Sequence, residues 1–130
     1  YTPSIANMKK LIDIFAYDRK LVTDALAEQR YTSSIRPGMQ KAFSSMFPVP
    51  RQRGVDALAA YEERLNEVHA STLLFHGRED RVIPLAASLK LLNTLENVQL
   101  HIFGHCGHWT QTEYATQFNR LVRDFLTDVS

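Results

Sequence analysis

A single cysteine, Cys106, stands in the 130 residues. No intrachain disulfide is possible, and a reducing, cytoplasmic setting is expected. Excess charge of one sign is also missing: 15 Lys and Arg against 14 Asp and Glu leave a formal net charge of +1. That balance gives no electrostatic reason to expect nucleic acid or an anionic membrane as partner. No apolar run nears the roughly 20 residues that a membrane-spanning helix needs, and no secretory or transit peptide is recognisable. His, Cys and carboxylates do not cluster at metal-ligand spacing, so no metal is expected. Internal repeats and low-complexity tracts are lacking too. What remains is an ordinary globular composition, 45% hydrophobic and 22% charged, in a chain long enough for one modest domain with a core. The chain starts at Tyr1, without methionine and inside a polar–apolar pattern, which leads to the expectation of truncation.

The first half reads as helices. Thr2-Pro3 predicts a helix start, with threonine as cap and proline at the first helical position. Ile5, Met8, Leu11, Ile12 and Phe15 then follow helical spacing. A second helix is predicted from about Asp18 to Tyr31. Ala42, Phe43, Met46 and Phe47 form an apolar cluster between Pro37-Gly38 and Pro48, and Val55, Leu58, Glu62, Leu65 and Val68 predict one more helix. From Ser71 the pattern changes. Ser71–His76 is a short β-prone run of the kind buried on both faces in a parallel sheet, Pro84 opens a helix with Leu85, Leu89, Leu92 and Leu95, and Val98–Phe103 is a second strand. Thr110-Gln111-Thr112-Glu113 has the form of a capping box, and Tyr114, Phe118, Leu121, Val122 and Phe125 continue that helix. Residues 71–127 thus form a parallel strand-helix-strand-helix unit, an α/β arrangement. Two strands make no stable sheet alone, so further strands are expected from residues outside this sequence or from another chain.

In open α/β sheets, sites form beyond the carboxyl ends of the strands. Two loops lie there, His76-Gly77-Arg78-Glu79-Asp80-Arg81-Val82-Ile83-Pro84 and Gly104-His105-Cys106-Gly107-His108-Trp109. Asp80 and His108 are 28 residues apart yet expected as neighbours, the acid and base of a triad in which a carboxylate orients an imidazole. The competing reading makes Asp80 a turn residue and His108 a loop histidine. The order acid then histidine is that of the α/β-hydrolases, whose nucleophile precedes both, and no serine nucleophile is found in this chain.

The combination G-x-x-D-x-x-x-P after one strand and G-H after the next resembles the α/β-hydrolase family. His76–Leu85, Gln99–Gly104 and Cys106–Gln111 resemble more narrowly the meta-cleavage-product hydrolases, which act on ring-opened catechols. Phe15–Asp18, Thr23–Tyr31 and Ser34–Gly38 are similar to that group as well, closest to its 2-hydroxymuconic semialdehyde branch. The resemblance implies a helical lid over residues 1–66 and the C-terminal part of the hydrolase core over 67–130. It implies hydrolysis of a C–C bond in a small dienol substrate, no cofactor, and Arg30 and Trp109 as substrate-binding residues. A guanidinium fork suits the paired oxygens of a carboxylate-bearing dienolate. The partner expected is the missing N-terminal half of the core; homo-oligomerisation is left open. By the same reasoning the isolated chain is expected to be inactive.

His101 reads as structural and His76 as a support of the turn before Asp80, while His105 receives no role. Cys106 lies in no nucleophile elbow and reads as a small buried thiol. Phe43, Met46 and Phe47 are candidates either for an apolar pocket end or for plain core. Two rivals stand beside the C–C hydrolase: an esterase, epoxide hydrolase or dehalogenase with the same acid and base, and a non-catalytic module that pairs through open sheet edges.

Overall fold

The structure, a computed structural model, describes residues 2–58 and 62–128. Helix α1 (Ile5–Phe15) begins two residues later than Thr2-Pro3 suggested. Ser4, in extended backbone, is the cap, and its hydroxyl accepts the Asn7 N–H at 3.1 Å. The helix expected from Asp18 is two pieces, because two capping residues compete for the chain. Asp18 caps a 3-10 turn (Arg19–Leu21), and Thr23 caps α2 (Asp24–Ser34) by accepting from Leu26 N–H at 3.1 Å. Helix α1 packs on α2, with Ile12, Ala16 and Ala27 buried between them and the loops beyond.

Gly38, at φ 82°, turns the chain in the left-handed region that glycine tolerates, and α3 (Met39–Met46) follows. Phe43 and Met46 on α3 are exposed, and Phe47 touches Phe43 at 5.5 Å between ring centroids. The Ala42–Phe47 cluster is therefore not core. Helix α4 (Arg51–Leu58) and a 3-10 segment (Glu62–Glu67) replace the single helix expected across 55–68. Their junction at 59–61, and the side chains of Val55 and Leu58, lie outside what is described.

Strands β1 (Thr72–Gly77) and β2 (Val98–Phe103) pair in parallel, in register from Thr72 opposite Val98 to Gly77 opposite Phe103. Helix α5 (Leu85–Thr94), with Pro84 at its cap, crosses between them and packs on both. Among the described residues the sheet has these two strands. Its faces are part-covered: Leu73, Leu74 and Phe75 are half-buried, and Ile102 is 44% exposed. Phe75 packs on Phe118 and Phe103, joining the sheet to the C-terminal helix.

Helix α6 (Thr110–Glu113) and helix α7 (Ala115–Asp128) break at Tyr114. The expected capping box is not formed. Trp109 holds the cap position without a side-chain bond, Thr110 is buried, and the Glu113 carboxylate reaches elsewhere.

The loops after β1 and β2 are closely fitted. A Cβ on Gly77 would overlap the backbone carbonyl oxygens of Gly107 and Cys106, whereas one on Gly104 would meet only the flexible Arg78 guanidinium at 3.4 Å. Gly77→Ala should therefore cost about 1–3 kcal/mol and Gly104→Ala about 0.5 kcal/mol or less. Urea unfolding of the two variants checks this, and equal costs would contradict the fit.

Candidate active site

The two loops are joined before they reach Asp80 and His108. Arg78 N–H donates to the Phe103 carbonyl at 2.8 Å, Glu79 N–H to the Cys106 carbonyl at 3.0 Å, and Cys106 N–H back to the Glu79 carboxylate at 3.0 Å. That last bond is the main reason the Glu79 carboxyl lies below its ordinary range; burial opposes it, and the Arg78 hydrogen bond and the charges of Arg78 and His105 add to it.

Asp80 divides its carboxylate between two tasks. Oδ1 accepts the N–H groups of Val82 at 2.7 Å and Ile83 at 3.1 Å, closing the turn. Oδ2 accepts from His108 Nδ1 at 2.9 Å. The turn-residue reading and the acid–base geometry thus hold together, one oxygen each. The Asp80 side chain is 6% exposed and that of His108 34%. Burial alone would raise the Asp80 carboxyl. The hydrogen bonds from His108, Val82 and Ile83, with the charge of His108, outweigh it and hold the group below its ordinary value. Since a carboxylate only accepts, Nδ1 carries the proton, and Nε2 has no hydrogen-bond partner among the described residues. An open cavity of about 220 Å³ adjoins the pair, lined by Phe75, His76, Gly77, Asp80, Ile83, His108 and Thr110.

His76 braces the acid from behind. It is buried; Nε2 donates to the Ile83 carbonyl at 3.1 Å, and Nδ1 meets Ser88 Oγ on α5 at 2.7 Å. Its Nε2 stands 3.8 Å from Asp80 Oδ2.

Helix α1 braces the base. His108 N–H donates to the Phe15 carbonyl at 2.7 Å, an approach open only because Gly107 has no Cβ to collide with that oxygen. The Phe15 ring lies 5.3 Å from both the His108 and Trp109 rings. Arg30, from α2, holds its guanidinium 5.2 Å over the Trp109 ring, a cation–π contact. The four residues singled out in the sequence therefore fall into two pairs, Asp80 with His108 and Arg30 with Trp109, linked through Phe15. Neither Arg30 nor Trp109 lines the 220 Å³ cavity, and Phe43, Met46 and Phe47 do not either. Phe15 and Glu113 carry more of the local geometry than their spacing suggested. Phe15 is one apolar position of a helical stripe in the sequence, with nothing to mark its carbonyl as the acceptor for residue 108.

His101 stacks beside Phe75 at 5.8 Å, and His105, at φ 56°, meets the Tyr17 hydroxyl at 3.0 Å. The buried Cys106 thiol is pushed up to about 12, by burial first and then by Glu113, Glu79 and Asp80, so it is no thiolate nucleophile at neutral pH. Among the described residues no group of three His, Cys, Asp or Glu could hold a metal ion, and no helix is long and apolar enough to cross a membrane.

A parallel β-α-β unit with an Asp–His pair on the loops after its two strands is the arrangement of the C-terminal part of an α/β-hydrolase fold. The family described as alpha/beta hydrolase fold matches residues 12–114, and the chain belongs to it. Within that family, the 2-hydroxymuconate semialdehyde hydrolase of Pseudomonas putida is 59% identical over 128 residues, 98% of this chain and 46% of that protein. A 2-hydroxy-6-oxo-2,4-heptadienoate hydrolase of the same species is 58% identical over 126 residues, 97% of this chain and 46% of its own length. Among solved structures, a meta-cleavage product hydrolase from Pseudomonas fluorescens IP01, a serine-to-alanine mutant complexed with acetates, matches with a TM-score of 0.92 and 57% identity. That match covers 100% of this chain and 48% of the other. The chain spans about half the length of the curated relatives it matches.

The depressed Asp80 carboxyl makes acid stability testable. Unfolded, the group titrates near its ordinary value of about 3.9, and folded it titrates lower. As pH falls the unfolded chain takes up the proton first. The stability Asp80 supplies is therefore full above about pH 5 and drains away as pH drops through the folded value. Asp80→Asn should flatten the acid limb of a urea-stability profile below about pH 5; an unchanged slope would mean that other groups set it.

Proposed function

We propose that this chain supplies the acid, the base and the lid of a meta-cleavage product hydrolase, which cleaves a C–C bond in ring-opened catechol dienols of the 2-hydroxymuconic semialdehyde type. The observation that carries the reading is the Asp80–His108 hydrogen bond at 2.9 Å on loops after adjacent parallel strands, in a chain 59% identical to a hydrolase of that name. In this reading residues 1–66 are the lid and 67–130 the C-terminal part of the core. The chain has no G-x-S-x-G turn, so the serine nucleophile and the oxyanion donors come from a segment outside these 130 residues. That segment also covers the part-exposed sheet and the exposed Leu89 and Leu92 of α5.

The chemistry assigned to each group follows from its bonds. Asp80 fixes the Nδ1–H tautomer and stabilises the imidazolium. His108 Nε2, without a hydrogen-bond partner among the described residues, takes the serine proton as the acyl fragment is captured and returns protons as water releases it, giving a 2-hydroxydienoate and a small acid. No cofactor enters these steps. Arg30, fixed over Trp109, receives the substrate carboxylate. The enzyme works in the cytoplasm, where a lone buried thiol stays reduced.

The test joins this chain to the N-terminal half of the Pseudomonas putida relative. That chimera should hydrolyse the dienol, and the isolated chain should not. Asp80→Asn should lower kcat by about 10⁴-fold, with His108→Ala at least as damaging. Activity within tenfold in either variant would refute the assignment.

Arg30→Lys separates substrate recognition from folding, because an ammonium cannot reproduce a bidentate fork. In the chimera, kcat/KM for the carboxylate-bearing dienol should fall about tenfold or more, the scale of a lost charge-assisted bond, and that for a neutral p-nitrophenyl ester only slightly. Equal losses on both would return Arg30 to a structural role.

A further inference from the structure

The Glu113 carboxylate lies outside the cavity that Asp80 and His108 share, yet it gathers three backbone N–H groups. Oε2 accepts from Tyr17 and Asp18, each at 2.8 Å, and Oε1 accepts from Gly107 at 2.7 Å. Tyr17 and Asp18 are 96 and 95 positions away and form the link between α1 and the following 3-10 turn. Gly107 immediately precedes His108. The carboxylate therefore fastens the root of the helical segment to the loop of the base.

We infer that Glu113 is a positioning residue for His108, an inference that rests on the acid–base reading above. The link it holds at residues 17–18 begins two residues after Phe15, whose carbonyl receives the His108 N–H at 2.7 Å. On the other side the Gly107 N–H is held directly. His108 is thus gripped on its own amide and on the preceding one, and both grips depend on one carboxylate. Asp80 has holds of its own besides the links of its loop to Cys106 and, through Arg81, to the Asp13 carbonyl. Its turn is closed by its own Oδ1 and braced by His76. If Glu113 lets go, the imidazole moves while the acid stays, and the 2.9 Å bond between them lengthens.

The arrangement needs a carboxylate rather than any polar group. Three N–H donors face two oxygens, and the Cys106 thiol adds a weak fourth contact at 3.8 Å. Glutamine keeps one acceptor oxygen and turns an NH₂ donor toward N–H groups, so at least one grip is lost. Glu113→Gln, isosteric in shape, is therefore a sharp probe.

The experiment uses the same chimera. Ile12→Val, at a buried apolar site in α1 that supplies none of the three amides, supplies a loss of stability without loss of the grip. Glu113→Gln should lower kcat about 10- to 100-fold, the scale of a sub-ångström to ångström misplacement, with KM for the dienol within about twofold. The downfield proton resonance of His108 Nδ1–H, which reports the bond to Asp80, should shift or broaden in Glu113→Gln and stay in place in Ile12→Val. A kcat within about threefold of the Ile12→Val value, or an unshifted resonance, overturns the inference. The resonance needs no substrate, so a chimera inactive toward the dienol would count against the proposed function and still test Glu113. Should Glu113→Gln fail to fold, native-state hydrogen exchange on the unaltered chimera decides. Gly107, Tyr17 and Asp18 amides opening at rates within about threefold of one another support a shared grip. Tyr17 and Asp18 exchanging far faster than Gly107 overturn it.

Discussion

An α-helix leaves its last carbonyls without partners, and the site is built on that need. At the end of α1 the Ile12 carbonyl is used by Ala16 N–H at 2.9 Å, but Phe15 and Asp13 must look outside the helix. Phe15 finds the backbone of the base loop, and Asp13 finds the Arg81 guanidinium of the acid loop. The negative end of the helix dipole favours the cationic partner. The loops of Asp80 and His108 thus lean on the same helix end, in addition to the strands they follow. The His108 loop is held there backbone against backbone, and the Asp80 loop by a guanidinium on a backbone carbonyl.

The loops after the strands were legible in the sequence because their logic is local and periodic. Short apolar runs ending near glycine marked β1 and β2, and their parallel connection through α5 put Asp80 and His108 at one end of the sheet. The Glu113 contacts were not legible. Threonine followed three residues later by glutamate satisfies the local rule for a capping box, and nothing near residue 113 announces unpaired amides at residues 17 and 18. The two capping residues Asp18 and Thr23 split a stretch whose apolar spacing alone reads as one helix. The Ala42–Phe47 run has core composition and yet stands in solvent here. Apolar spacing tells which face seeks cover, not which segment supplies it.

Cover is unevenly distributed over the chain. The buried apolar residues, Ile12, Ala16, Ala27 and Cys106, gather where α1, α2 and the base loop meet, while Ile102, Leu89 and Leu92 remain open around the sheet. Removing such side chains from water is worth roughly 25 cal/mol per Å², so this surface is a standing attraction for further strands and helices. Relatives about twice as long as this chain are in keeping with that imbalance.

The pairing of β1 with β2 acts as a ruler. Gly77 lies opposite Phe103, so the two strands end level and their loops start from a common line. One residue of slip along a strand is a step of about 3.3 Å, and it turns every side chain to the opposite face. That step exceeds the whole 2.9 Å bond between His108 and Asp80. A single-residue insertion or deletion inside either strand would separate Asp80 from His108 even in a molecule that still folded. Chain length is therefore fixed through the twelve residues of the two strands.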